Sequence, residues 1–358
     1  MAGLVRIMLD FYKEKRVFVT GHTGFKGAWL CTVLRMAGAD VTGFALPPVG
    51  SGLFEIAGTG RKMHSIYGDI RSFDTLWEAF QQAQPEIVFH LAAQPLVRES
   101  YRDPLGTFHT NVMGTVNLLE CVRRSGCVRS VLNVTTDKVY ENKRWPWGYR
   151  ETDLLNGYDP YSNSKSCSEL ATDSYRKSFF SDGGTAVSTA RAGNVIGGGD
   201  FAADRIIPDC IRAARSGEAV QVRNPYAVRP YQHVLEPLSA YLLIAQKQYE
   251  NPALAGSYNV GPDSGDCLTT GELADLFCRF WGEGARWTHT GESGPHEDAL
   301  LRLDCSKIRA VLGWQPKWDA ARAVEETVAW TKAWLDGGDM SAYMERQIKM
   351  FLAEGNVR

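Results

Sequence analysis

Apolar positions recur along this chain in two alternating rhythms, and the alternation predicts the architecture. Val17-Phe18-Val19 reads as a buried strand, and after a glycine-rich turn Leu30, Val33, Leu34 and Ala37 recur at helical spacing. A second strand is expected over Val41 to Leu46, a third around Ser65 to Tyr67, and a fourth over Ile87-Val88-Phe89-His90-Leu91-Ala92-Ala93. A long helical pattern follows from Pro104 to Arg124, then a buried strand over Val131-Leu132-Asn133-Val134. Strands alternating with helices predict an α/β fold, a doubly wound parallel sheet whose ligand crevice lies at the strand carboxyl ends. A tail helix around Val324 to Trp334 is expected to end the fold.

Composition narrows the function classes. The 358 residues are 44% hydrophobic and 22% charged, an ordinary globular balance with room for one large or two moderate domains. Thirty-nine basic against 41 acidic residues leave a net charge of -2, so no global field draws nucleic acid or a membrane surface, and an anionic ligand must be bound locally. The eight cysteines (Cys31, Cys121, Cys127, Cys167, Cys210, Cys267, Cys278, Cys305) form no Cys-x-x-Cys pair, which predicts reduced thiols in a cytoplasmic protein. Met1 to Lys15 lacks the apolar core of a signal peptide, and no run reaches the roughly 18 apolar residues of a spanning helix. No set of His, Cys and acids has metal-ligand spacing, so no metal is expected.

The first chemistry lies in the turn Gly21-His22-Thr23-Gly24-Phe25-Lys26-Gly27. Directly after an apolar strand, Gly21 permits the tight turn, Gly24 lets backbone approach a pyrophosphate, and Gly27 lets helix and sheet pack closely. A dinucleotide site commonly ends its second strand in Asp or Glu; here that end is Phe44-Ala45-Leu46-Pro47, with Asp40 before the strand. No Arg stands in Phe44 to Leu53 to receive a ribose phosphate, so NAD is favoured over NADP. Asp69, after the third strand, is a candidate acceptor for an adenine amino group, or a turn residue.

The second chemistry lies in Tyr161-Ser162-Asn163-Ser164-Lys165, which sets a phenol and an ammonium one helical turn apart on one face. A neighbouring cation favours the phenolate, which predicts a tyrosine pKa drawn from about 10 toward neutrality, where it can take a proton from a substrate hydroxyl. Thr135-Thr136-Asp137-Lys138 ends the strand before it and points polar groups into the same crevice. Trp145 and Trp147 either line a cleft or fill the core.

With these motifs, and with Arg191 through Asp200 and Arg229-Pro230-Tyr231-Gln232-His233-Val234, the chain resembles the extended short-chain dehydrogenase/reductase family that acts on nucleotide sugars, from about Lys15 onward. The resemblance implies a Rossmann-type domain over 11–190, with 231–260 returning to it, and a smaller nucleotide-sugar domain over 191–230 and 261–358. It implies NAD held by Gly21, Gly24, Phe25, Lys26, Gly27, Asp69, Ile70, Leu91, Ala92, Ala93 and Thr110, together with Tyr161 and Lys165. Tyr161 would take the proton from the sugar's carbon-4 hydroxyl, Lys165 would lower its pKa and hold the nicotinamide ribose, and Thr136 would bond the same sugar oxygen. Asp137 would protonate the departing hydroxyl, its pKa raised by partial burial. Where dTDP-glucose dehydratases place Glu after that Asp, this chain has Lys138, which matches the branch taking CDP-glucose and leaves the carbon-5 base open between Lys138, Tyr161 and water. Asn194 and Arg229 would bind the substrate pyrophosphate, while His296 reads equally as structural. The helices after Pro104 and Pro160 would form a homodimer, possibly paired again. A nucleotide-sugar 4-epimerase and a catalytically silent NAD-binding regulator are the competing readings.

Overall fold

The computed structural model describes residues 9–48, 50, 52–289, 291 and 300–354. Seven strands form one sheet: β1 (Arg16–Thr20), β2 (Asp40–Ala45), β3 (His64–Tyr67), β4 (Ile87–His90), β5 (Ser130–Thr136), β6 (Ala186–Ala192) and β7 (Ser257–Val260). Their order is β7-β6-β5-β4-β1-β2-β3, and every neighbouring pair is parallel. Order reverses beside β1 and β4, which places the crevice at their carboxyl ends. Alternate residues serve opposite faces: Val17, Val19 and Phe89 join one core with Trp29, Leu34 and Tyr241, whereas Phe18, Val88 and Val131 join another with Leu76, Phe80 and Leu118. That double burial is why the strands read as continuous apolar runs.

Helix α1 (Phe25–Met36) follows β1, and α2 (Phe73–Ala83) covers the opposite face. The helical pattern from Pro104 is not one regular helix. Pro104–Phe108 leads into a π turn at His109–Met113 and then α3 (Gly114–Ser125). The wider turn faces Asn111 inward, where it accepts from the Gln94 amide at 2.8 Å and donates to Ser164 Oγ at 2.8 Å. β4 also stops at His90, earlier than its apolar run, because the Leu91 and Ala92 amides turn to Thr20 Oγ1.

Beyond β5, α4 (Pro160–Phe179) packs on α3, and α5 (Ile206–Ser216), α6 (Leu235–Glu250) and α7 (Thr270–Trp281) follow in order. A third core, including Ile207, Val220, Phe277, Trp281 and Val328, joins α5 and α7 to α8 (Ala320–Leu335). The tail helix does not end the fold. The chain continues into α9 (Met340–Ala353), which returns across the molecule to α1, with Arg35 and Glu345 paired at 2.9 Å and Phe351 edge-on to Trp318 at 5.0 Å. No helix among the described residues is long and apolar enough to cross a membrane.

Candidate active site

The turn between β1 and α1 leaves no room for a side chain at Gly21 or Gly27. Gly21 has φ of +74°, and a Cβ there would lie 2.7 Å from the Ala92 nitrogen; one at Gly27 would lie 2.1 Å from the Gly21 oxygen. Gly24 caps α1 without a side-chain hydrogen bond, so the amides of Phe25, Lys26 and Gly27 leave the first turn with no intrahelical partner. Free donors at the positive end of a helix, with backbone bare enough for close approach, fit a dinucleotide pyrophosphate.

Around this cradle, Leu91 and Ala92 press on the turn, and Ile70 is buried against Gly114. The Asp69 carboxylate is taken up by the Arg71 guanidinium at 2.5 to 3.0 Å, which, as the first cause, holds its pKa below the usual range. Thr110 stands half-buried in the π turn. His22, unremarked in the motif, is fully buried beside Gly43 and bonded to Ser65 Oγ at 2.7 Å.

Further along the crevice, a cavity of about 950 Å³ gathers Lys26, Thr136, Asp137, Lys138, Tyr161, Asn194 and Arg229. Two local devices aim the central pair. β5 ends at Thr136 in a single 3-10 turn, Asp137–Val139, and α4 starts with Pro160 in its first turn behind Asp159, whose carboxylate accepts from the Ser162 amide at 3.0 Å. Asp137 is fully buried. Its Oδ1 accepts from Thr136 Oγ1 at 3.0 Å and lies 3.6 Å from Lys138 Nζ. Oδ2 has no partner among the described residues and faces Gly193, where a Cβ would come within 2.8 Å. Asn194 Oδ1 is likewise buried and unpartnered, while Arg229, also buried, donates to the Val228 carbonyl at 3.0 Å. Unpaired buried acceptors on a cavity wall are suited to ligand hydroxyls and amines.

The predicted effect of Lys165 on Tyr161 needs correction. Lys165 lies beneath the cavity and donates to the Val134 carbonyl at 3.1 Å. Tyr161 is pushed up to about 12, first by burial; a hydrogen bond with Thr136 opposes the rise and the charge of Asp137 adds to it. Sequence spacing gives the separation of the two groups but not the loss of solvent, and desolvation wins. Lys165 is itself drawn down to about 8 by burial, against the attraction of Glu169.

Glu169 was missed in sequence, although it continues the same helix face at Tyr161, Lys165, Glu169. It accepts from Thr189 Oγ1 at 2.7 Å and from Arg191 Nη2 at 2.9 Å, and Arg191 also donates to the Tyr140 hydroxyl at 2.8 Å. This buried ion pair underlies the carboxyl ends of β5 and β6. A second missed pair, Asp200–Arg205 at 2.8 Å, faces the cavity. Half-buried Lys26 is pulled down to about 7, first by desolvation and then by Arg205 and Lys165, with Asp137 and Asp200 opposing.

Trp145 stacks on Tyr149 at 5.6 Å against the core, and Trp147 is exposed. His296 lies outside the described residues. All eight cysteines are free thiols. No group of three or more His, Cys, Asp or Glu among the described residues is arranged to hold a metal ion.

A CDP-glucose 4,6-dehydratase of Salmonella typhimurium is 48% identical over 96% of this chain and 98% of its own. Among solved structures, MoeE5 in complex with UDP-glucose and NAD superposes with a TM-score of 0.76 at 25% identity, over 89% of this chain and 99% of that one. The epimerase Mth375 of Methanothermobacter thermautotrophicus, at 21% identity, shares the fold with a TM-score of 0.82 over 93% of this chain and 96% of that one. Residues 18–327 match the family described as GDP-mannose 4,6 dehydratase, and with the glycine cradle, Thr136, Tyr161 and Lys165 all in place, the chain belongs to that family of extended short-chain dehydrogenases/reductases.

Proposed function

We propose that the chain converts CDP-glucose to CDP-4-keto-6-deoxyglucose and water, a change that is redox-neutral overall. The identity with the Salmonella enzyme supports the nucleotide sugar, and the glycine cradle supports the cofactor. Lys165 would hold the ribose of NAD bound there, and the cofactor would supply the acceptor for a hydride and its later donor. The rest falls to side chains. Tyr161 would accept the carbon-4 hydroxyl proton as the phenolate, a form that the positive charge of bound NAD would favour against the rise that burial imposes, while the Thr136 hydroxyl bonds the same oxygen. Once carbon 4 is a ketone the carbon-5 proton is acidic and passes to a water in the cavity, which returns it to carbon 5 as hydride reaches carbon 6, and Lys138, about a third exposed at the cavity wall, is assigned to the developing enolate. Asp137 hands a proton to the departing 6-hydroxyl. Asn194 and Arg229 take the pyrophosphate.

The observation that carries dehydration over epimerisation is Asp137 Oδ2, buried without a partner in the cavity wall. An epimerase has no hydroxyl to expel and needs no acid there. The test is incubation of the purified protein and NAD with CDP-, dTDP-, UDP- and GDP-glucose, read by product mass. Loss of one water from the CDP sugar is expected; an isomer of unchanged mass would establish the epimerase instead. Asp137→Asn is expected to stop dehydration and leave substrate-dependent formation of reduced nicotinamide intact.

Leu105 (81% exposed), Met113 and Leu170 present apolar side chains to solvent from the two helical segments that would build a homodimer. Sedimentation of the wild type as a dimer, and of Leu105→Glu as a monomer, is the expected result. Free thiols throughout suit a reducing cytoplasm.

A further inference from the structure

The cavity is far larger than a hexose requires, and away from Tyr161 it carries an ion cluster with no place in the proton chemistry. Asp204, just before α5, meets two guanidinium groups on one oxygen: it is ion-paired with Arg98 Nη1 at 3.0 Å and accepts from Arg223 Nη1 at 3.5 Å. The three come from separate elements. Arg98 belongs to the helix Val97–Arg102, and Arg223 follows the short strand Val220–Val222. Asp204 holds φ of +61°, in the left-handed region that Asp visits more readily than most residues. Its second oxygen has no hydrogen bond among the described residues, and all three side chains remain about a third exposed at the cavity wall.

A carboxylate oxygen beside a guanidinium is an acceptor next to donors. Cytosine offers the complement, an amino donor at N4 next to acceptors at N3 and O2. Uracil and thymine invert both positions, placing the O4 acceptor against the carboxylate and the N3–H donor against the guanidinium. We infer that Asp204 and Arg223 read the nucleobase edge and select cytosine over uracil and thymine, Arg98 fixing the carboxylate in place. The inference deepens the proposed function and rests on its nucleotide-sugar substrate. A carboxylate at the centre of the cluster argues against the arginines serving the pyrophosphate, which it would repel.

Binding of free CDP and UDP, measured by calorimetry on the intact protein with NAD present, tests this independently of turnover. The wild type is expected to favour CDP. Asp204→Asn, whose amide can turn to donate to O4, is expected to shrink the CDP:UDP preference by about tenfold or more, the low end for a paired base edge because the groups stay partly hydrated. Arg223→Gln is expected to weaken CDP more than UDP. An unchanged ratio in both variants, or an equal rise for both nucleotides in Asp204→Asn, would overturn the assignment, the latter pointing to pyrophosphate. A wild type that favours CDP yet dehydrates none of the four sugars would keep the base readout and sink the reaction.

Discussion

The two walls of the cavity are built on opposite principles. The wall from β5 and α4 is dry: Asp137, Lys165, Glu169 and Arg191 are buried, with Glu169 bonded to Arg191, Asp137 to Thr136 and Lys165 to the Val134 carbonyl. The wall from residues 200 to 229 carries, beside buried Asp200 and Arg229, the partly exposed charges of Asp204 and Arg223, which Arg98 joins. Groups that move protons must be placed before substrate arrives, because misplacement costs rate. Groups that recognise a substrate edge must be able to exchange partners, so they are kept where water can stand in.

Attacking the dry wall should give the largest effects. Tyr161→Phe is expected to lower turnover by at least about a thousandfold while leaving NAD affinity, measured by calorimetry, within twofold. A fully active variant would move the base elsewhere. Glu169→Gln strips the counter-charge from buried Arg191 and is expected to cost about 3 to 5 kcal/mol in urea unfolding. Arg98→Gln, on the wet wall, should cost less than about 1 kcal/mol, and equal losses for the two would erase the contrast. A separate effect, spread over the molecule and belonging to neither wall, is read in pH. His22, His90 and His233 are fully buried and held down to about 4, about 3 and about 3 by desolvation, as the leading cause. Below about 6.5 the unfolded chain binds protons on these rings that the native chain refuses. Stability is therefore expected to fall as pH drops from about 6.5 toward 4, by up to about 1.4 kcal/mol per pH unit for each ring. His90→Asn, keeping a polar group between Thr20 and Thr115, should flatten that slope; an unchanged slope would assign it to other groups.

Much of the dry wall was legible because its signals are local. Apolar runs marked the strands, three glycines marked the cradle, and a spacing of four placed Tyr161 and Lys165 on one face. What stayed hidden depends on residues meeting from afar. Glu169 finds Arg191 only once β6 lies beside α4, and no spacing along one helix reveals that partner. The same limit misjudged the phenol, since burial is a property of the assembled crevice. Helix α9 has a readable apolar stripe at Met340, Met344, Ile348 and Phe351, but nothing local says that it crosses the molecule to α1. On the wet wall, Asp204 and Arg223 read as ordinary loop charges until the fold brings them to one oxygen of the cavity wall.

The return of α9 to α1 also has a consequence in time. On a ribosome adding roughly 5 to 20 residues per second, the helix that follows the first glycine turn emerges early, and the partner that covers it emerges more than 300 residues later, as the 310-residue separation of Arg35 and Glu345 shows. For tens of seconds the nascent chain holds an apolar helix face with its cover not yet made. A chaperone that shields such faces has its natural opening in that interval, which closes when α9 docks.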